Sequence, residues 1–403
     1  MSGAGELHLA LWLLTSGHHI ASWRHPRSDP AALTGIDHYV QVARLAERGK
    51  LDMVFFEDTL APRERNGGVF GEVSFNSLDP LIQIAALAAA TERIGLAASF
   101  STTYHSPEVL AAKFAAIDRL SGGRAGWNMV TSGAAAGRNF GSGEHPEHAA
   151  RYANAHEVVH AVRAKWAAGP PSPQGQPVLI QAGMSEWGLD FASSFGEAIF
   201  SAFGALEAGR AFRSDLRERA VAKGRSAESI KVLPGFMPII GSTEREAKAK
   251  ADEYRALIHP AIVRGMLGER FNIDFTDRPL DAPFPLDEIK ATLEDRPNIG
   301  GPRARFLADV REGETIAAYA ERMTAKPTGH LSKVGSPEQI ADFMQDWREG
   351  GGCDGFIIQA LQIPVEFELF VDEVIPVLQK RGLFRRDYAG TTLRDHLGLD
   401  EPV

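Results

Sequence analysis

A closed (β/α)8 TIM barrel is the fold class the sequence predicts, and three observations predict it. Short hydrophobic runs of strand length alternate with moderately amphipathic helical stretches along most of the 403 residues. Each run leads into a polar loop, the rhythm of parallel strands joined by right-handed crossovers. Eight such runs are present, and no GxGxxG opens a strand–helix turn near the N-terminus, which disfavours an open doubly wound sheet.

The elements follow in order. Leu7–Leu14 is the first strand, ending in the loop TSGHHIASWRHP (Thr15–Pro26), which holds His18, His19, Trp23, Arg24 and His25. Asp37–Arg48 reads as a helix with Gly49 as its C-cap. The second strand, Leu51–Phe56, ends in Glu57 and Asp58. Asp79 caps a helix over Pro80–Ala90, with proline in the first turn. Arg93–Phe100 is the third strand, and it ends in Ser101–His105 before the helix Glu108–Arg119. The fourth strand, Arg124–Met129, is followed by a helix over Tyr152–Trp166 and the linker Gly169–Pro177. Val178–Ala182 is the fifth strand and Glu197–Phe203 the sixth, with helices after each. The seventh is Ile230–Pro234 with the continuation Phe236–Ile240. Residues 258–301 break the rhythm with many prolines and read as an excursion from the barrel, a lid or a packed surface insertion. A helix over about Arg303–Met323 follows it. Ser336 then caps a helix to Arg348, Gly355–Gln359 is the eighth strand, and Phe367–Lys380 the last helix. The chain reads as one domain over residues 1–403.

Composition narrows the function classes. The chain is 44% hydrophobic and 24% charged, ordinary for a globular protein. Its formal charge is -9 and no basic tract accumulates, so nucleic acid and anionic membrane are not the expected partners. One cysteine, Cys353, rules out an intrachain disulfide framework or thiolate metal cluster and makes the cytoplasm the expected location. Cys353 precedes the last strand and is expected in the core. The apolar run near the N-terminus lacks a basic leader and is too short for a membrane span.

The most informative stretch is Leu120–Gly141, LSGGRAGWNMVTSGAAAGRNFG. A buried strand leaves a Gly-Gly turn and ends on Asn128, Thr131 and Ser132; a glycine-rich loop closes with Asn139, Phe140 and Gly141. Amide, hydroxyl and backbone N–H groups just past a strand's C-terminal end lie where ligands sit in α/β folds. The histidines of the first loop lack the second half of any metal motif. No GxSxG elbow supplies a nucleophile. Of Glu57 and Asp58, adjacent residues point opposite ways, and Asp58 is the better placed at the mouth. QAGMSEWG after the fifth strand puts Gly183, Met184 and Ser185 before a helix starting near Glu186, an arrangement that holds anions by exposed N–H groups and dipole. Arg151 and Tyr152 could complete it. The ordinary alternative is that Ser185 is an N-cap and Tyr152 packs. The pocket could hold an aromatic ring plus a phosphate, a description that FMN fits.

The chain resembles the flavin-dependent monooxygenases of the bacterial luciferase superfamily, in the branch of nitrilotriacetate monooxygenase component A and dibenzothiophene-sulfone monooxygenase. The matching stretches are SGHHIASWRHP, LDMVFFEDT, the run from ERIGLAASF to GRNFG, RYANAHEV, QGQPVLIQAGMSEWG, VGSPEQIADFM and IPVLQKRGLFRRDYAGTTLRDHLGL. They span nearly the whole chain. The resemblance implies reduced FMN from a separate NAD(P)H:flavin reductase, O2 as co-substrate, and oxidation of a small organic molecule at a C–N or C–S bond. It also implies a homodimer or homotetramer. By resemblance Asp58, Thr102 or Thr103 and Asn128 line the flavin ring, and Tyr152, Gly183, Met184 and Ser185 cradle the phosphate. His19 reaches the reactive edge as acid–base or oxygen-positioning residue, and His330 comes in from a late loop.

Two departures stand out. Leu189 occupies the place of the arginine in the family's QAGxSxxGR, so an arginine would come from elsewhere, such as Arg151. The segment between Trp166 and Gln176 is short, and it borders the substrate side in the family. Alternative readings are a flavin-degrading enzyme like riboflavin lyase, an F420-dependent oxidoreductase, and a non-catalytic flavin-binding protein.

Overall fold

The computed structural model describes residues 6–29, 35–58, 64–65, 68–69, 78–132, 136–137, 140, 145–294, 307, 309–324 and 330–402. The strands are β1 (His8–Trp12), β2 (Met53–Phe56), a two-residue hairpin β3 (Glu64–Arg65) and β4 (Gly68–Val69), β5 (Gly95–Ser101), β6 (Ala125–Val130), β7 (Val178–Gln181), β8 (Ala198–Ser201), β9 (Lys231–Ile240), β10 (Leu331–Gly335) and β11 (Gly355–Ile358). Eight of them, in the order β11–β1–β2–β5–β6–β7–β8–β9, are parallel, and β9 pairs back to β11 to close the ring. The predicted barrel is therefore the observed one.

Helices α1 (Ile36–Arg48), α2 (Pro80–Ala90), α3 (Pro107–Ser121), α4 (His148–Ala168), α5 (Glu186–Phe195), α6 (Leu206–Ala222) and α7 (Glu244–Ala256) alternate with the strands. Local chemistry sets their starts. Asp79 accepts the amides of Leu81 and Ile82, and Ser106 that of Val109. Ser336 forms a full capping box with Gln339 ahead of the helix Pro337–Glu349. At the end of α1 the left-handed residue is Lys50 (φ 61), not Gly49. Gly49 is right-handed, and a Cβ there would press on Val371 and Leu51. Close packing, not a left-handed backbone, is what favours glycine at that position.

The two-residue period of the strands divides the core. Ala10, Met53, Phe55, Ala97, Ile180 and Leu233 pack inside the barrel. Leu9, Leu11, Val54, Phe56, Leu96 and Trp127 face the helices. Leu393 and Leu397, from near the C-terminus, close the barrel from below. Cys353 is fully buried in the outer core, as expected, and burial pushes its thiol up. Below the floor, Arg394 holds Glu197 at 2.7 Å, and Arg385 holds the buried Asp52 at 2.6 Å. Burial raises the Asp52 carboxyl, but Arg385 and His8 outweigh it and bring it down to about 2.

Three sequence expectations are corrected. First, β9 is a single ten-residue strand whose upper half rises above the ring and pairs with β10, a ninth strand that the sequence reading did not assign. Second, the excursion from the barrel extends beyond residue 301. Helices α8 (Pro260–Phe271) and α9 (Leu286–Glu294) share a separate apolar cluster with the helix Ile316–Thr324, through Phe271, Phe284, Ile289, Ile316, Tyr319 and Met323. Of the helix expected over Arg303–Met323, the described helical part is Ile316–Thr324 with residue 307, and it packs within the insertion. Third, the short linker does not border the mouth. Gln174 donates to the carbonyl of Ala125, where β6 begins, and to Asp118, and it accepts the Arg394 amide; the linker lies under the floor. An α-to-β connection in a barrel falls at the strands' N-terminal ends, which is the physical reason. Among the described residues, no helix is long and apolar enough to cross a membrane.

Candidate active site

The C-terminal ends of the strands gather most of the polar groups singled out from sequence. Asn128 is inward on β6, two residues after Gly126, where a Cβ would meet Ala97 and Ile180 inside the barrel. Its Nδ2 donates to Ser99 Oγ at 2.8 Å, and its Oδ1 is buried without a partner. Thr102 and Thr103, just past β5, donate their hydroxyls to the carbonyls of Val130 (3.2 Å) and Thr131 (2.8 Å). These bonds fasten the end of β5 to that of β6. Ser132 turns the chain there with a left-handed φ of 52, and its hydroxyl bonds Ser101 at 2.8 Å. Trp127 and Phe56 are outer core, the first donating its indole N–H to the Phe100 carbonyl at 3.1 Å. Phe140 stacks on Tyr104 at 4.9 Å, while Asn139 and Gly141 lie outside the described residues.

Around β7 a compact polar pocket forms. Ser185 is the N-cap of α5, accepting the Gly188 amide at 3.1 Å. Tyr152, near the start of α4, has its hydroxyl near Ser185, Thr131 and Gln181; burial raises its pKa and those bonds lower it. A Cβ on Gly183 would overlap both the Tyr152 hydroxyl and Gln181 Nε2, and one on Gly188 would strike the Gly183 backbone. The bare glycines let the Tyr152 hydroxyl, the Gln181 amide and the start of α5 close in on the Gly183 backbone. Gln181 Oε1 is buried and unpartnered. Arg151 donates to the Ser132 carbonyl at 3.1 Å and touches His145, and its Nε is buried without a partner. Leu189 packs against the outer core, so it brings no charge to this pocket. Met184 is directed elsewhere: its sulfur accepts the Ala202 amide at 3.2 Å.

The other side of the mouth is aromatic. Trp12 meets Phe200 at 5.1 Å and His18 at 4.8 Å, and Phe200 stacks on His330 at 5.3 Å. His330, Gln359 and Phe200 converge on Gly235, where a Cβ would meet them at 2.5, 2.9 and 3.0 Å. Trp12 Nε1, both ring nitrogens of His18, His330 Nδ1 and Gln359 Nε2 are buried without hydrogen-bond partners among the described residues. Burial, then His330, lowers His18 to about 3, although the Ala360 carbonyl lies near enough to favour the charged form slightly without hydrogen-bond geometry. Burial lowers His330 to about 4. Both are neutral at pH 7.

His19 does not join them. Its ring packs edge-on against Tyr254 of α7 at 5.4 Å, and its Nδ1 accepts the Ala21 amide at 3.2 Å. Burial, then Arg255, lowers it to about 4. Asp58 stands past β2, half-buried, its carboxyl pushed up to about 7 by burial, then by Asp79 and Glu57.

Sequence reasoning missed Trp12, Phe200, Gln181, Gln359 and His148, whose ring meets Tyr152 edge-on at 5.0 Å. Gln181 was findable as the lone polar residue ending the run VLIQ. The choice of His18 over its neighbour carries no local signal.

The residues present fit a flavin mononucleotide: a glycine turn with hydroxyl and amide groups gathered beside a helix N-terminus, and amide atoms inside the mouth that have no partner among the described residues. The fold and this site define a barrel enzyme of the flavin-dependent kind. The luciferase-like monooxygenase family profile matches residues 15–354, and the chain belongs to that family. It is a flavin-dependent monooxygenase. It is 37% identical to N-acetyl-S-(2-succino)cysteine monooxygenase of Bacillus subtilis (strain 168), covering 99% of this chain and 98% of that one. It is 36% identical to nitrilotriacetate monooxygenase component A of Aminobacter aminovorans, over 100% and 98%. Such close values favour no single branch. The solved riboflavin lyase RcaE, with modified FMN and the substrate riboflavin, superposes with a TM-score of 0.83 at 28% identity, covering 98% and 96%.

Proposed function

We propose that this chain is the oxygenating component of a two-component system. It receives reduced FMN from a separate NAD(P)H:flavin reductase and, with O2, oxidises and cleaves a small organic substrate at a C–N or C–S bond. Two observations support the separate reductase: the one GxGxxG string, Gly350–Gly355, runs from a helix into β11 rather than from a strand into a helix as a nicotinamide-binding turn does, and one relative is named "component A". The two relatives named above act on an S-substituted cysteine and a tertiary amine acid, which supports the bond class.

The single observation that carries the reading is the Gly183 cradle beneath the Tyr152 hydroxyl, next to the α5 N-terminus. Tyr152, Gly183, Ser185 and Arg151 would hold the phosphate. Asn128, Thr102 and Thr103 would meet the ring, with Asn128 Oδ1 accepting from a ring N–H. When bound, reduced FMN supplies the electrons that activate O2. Trp12 and Phe200 exclude water from the reacting edge. His18 replaces His19 in our reading as the residue at that edge: being neutral, it can accept a proton on one nitrogen while donating from the other. His330 assists it from across the mouth. Asp58 holds a proton near neutrality and can return it.

A homodimer or homotetramer in the cytoplasm is part of the same proposal. Ile82 of α2 and Leu120 of α3, 70% and 74% exposed, support an assembly face.

Anaerobic titration with reduced FMN, followed by mixing with O2 and N- or S-substituted acids, tests the reading. Saturable binding and oxygen-dependent product formation are expected; no binding of reduced FMN would sink it. The likeness to riboflavin lyase favours a second reading, flavin degradation, which riboflavin loss in the same assay would reveal.

A further inference from the structure

The loop that carries His18 and His19 continues into the wall of a second cavity. This cleft, about 360 Å³, opens between residues 20–24 and the start of the insertion. Ile20 and Ala21 line one side, Ile258 and Ile262 the other, and the partly exposed Trp23 indole lines it too. Its size and mainly apolar lining fall within the range of small-molecule sites.

Two polar groups break the apolar lining, and both favour a negative charge. Arg24 donates one guanidinium N–H to the Leu257 carbonyl, and among the described residues it has no carboxylate partner. Its neighbours differ. Arg27 is held by Glu366 at 2.9 Å, and Arg255 by Asp252. His259 accepts the Ala261 amide on Nδ1 at 3.2 Å, which leaves Nε2 as the N–H donor of the neutral ring. A cation without a counter-ion beside an apolar wall matches an organic acid: the stem takes the isoleucines and indole, and the carboxylate takes the guanidinium in a two-pronged bond.

We propose that this cleft is a recognition subsite for the apolar-stemmed, carboxylate-bearing end of the substrate. The ligand's role as substrate rests on the monooxygenase reading above; the carboxylate selectivity of the cleft does not. The cleft shares its wall with the loop of His18 and His19, and Ala21 donates its amide to His19.

The test uses flavin-free full-length protein and two isosteric probes, 3-phenylpropionate and 3-phenylpropionamide, titrated by calorimetry. The wild type is expected to bind the acid at least about tenfold more tightly than the amide, the discrimination expected of a charge-assisted bond. Arg24→Met should bring the two within about twofold. Ile262→Trp fills the cleft with Arg24 kept, and should weaken both probes by more than about tenfold. Equal binding of acid and amide to the wild type would overturn the proposal, and so would wild-type acid affinity in Ile262→Trp. Reduced FMN is titrated separately into the same proteins. Loss there would strike the monooxygenase reading and leave the carboxylate result standing.

Discussion

Among the described residues, the hydroxyls on the β5–β6–β7 side of the mouth have partners and only Asn128 Oδ1, Gln181 Oε1 and Arg151 Nε lack them, whereas most ring and amide nitrogens on the β1–β8–β11 side have none. On the first side, Thr102, Thr103 and Ser132 are tied to neighbouring backbone or hydroxyls, and Ser185 caps its helix. On the second side, five polar atoms of Trp12, His18, His330 and Gln359 are buried without partners. Each such atom costs on the order of 1–3 kcal/mol. The contrast separates two tasks. In the proposed function a bonded frame would present a fixed cradle to the cofactor, and an unsatisfied layer of rings would be free to bond the groups that react beside it.

The sharpest way to break this comparison is Gly183→Val. Its side chain would enter the space of the Tyr152 hydroxyl and Gln181 amide, and reduced FMN affinity should fall by about hundredfold or more. Fluorescence titration reads this, and wild-type affinity in a folded variant would refute the cradle.

Next in size is His18→Gln. Loss of a proton-transfer group should lower kcat by about 10²-fold with FMN affinity little changed. The parallel His19→Gln variant, against Tyr254, should change kcat by under about threefold. Steady-state kinetics on the two proteins decide between the neighbours, and the reverse order would return the role to His19.

Tyr152→Phe removes one hydroxyl from the bonded side. It should weaken FMN binding by about tenfold, the effect of one hydrogen bond. An unchanged dissociation constant would leave Tyr152 as packing alone.

The smallest effect concerns pH, where the histidines of the unsatisfied side and Asp58, past β2, have opposite signs. His18 and His330 are lowered to about 3 and about 4 from 6.5. Their stabilising contribution is present above about 6.5 and is lost as pH falls toward their folded values, because only the unfolded chain takes up those protons. Asp58 is raised to about 7 from 3.8. Its contribution is present below about 4 and is lost as pH rises through 7. Urea unfolding should therefore show His18→Gln gaining on the wild type between pH 6.5 and 4, and Asp58→Asn gaining between pH 4 and 7. Parallel pH profiles for all three proteins would contradict both assignments.

Much of the frame was legible in the chain. Strand-length runs ending in polar residues placed Asn128, Thr102 and Ser185 at the mouth, and each is there. The alternation of Trp127 and Asn128 followed from the strand period, apolar toward the helices and amide inward. Asp79, Ser106 and Ser336 each cap the helix that begins beside them, because a cap is a bond between residues two or three apart. Met184 shows what such reading leaves open: the motif concerns its backbone N–H, and only the structure shows its sulfur accepting the Ala202 amide.

The sequence by itself determined the barrel, its helix starts and the polar strand ends, since these depend on periodicity and on bonds between near neighbours. Only the tertiary structure decided that His18 rather than His19 meets Trp12 and His330. It also decided that β10 pairs above the ring, that the helix Ile316–Thr324 belongs to the insertion, and that the short linker lies beneath the floor. Those outcomes rest on contacts between residues tens to hundreds of positions apart. No local pattern records which of two adjacent side chains such contacts will select.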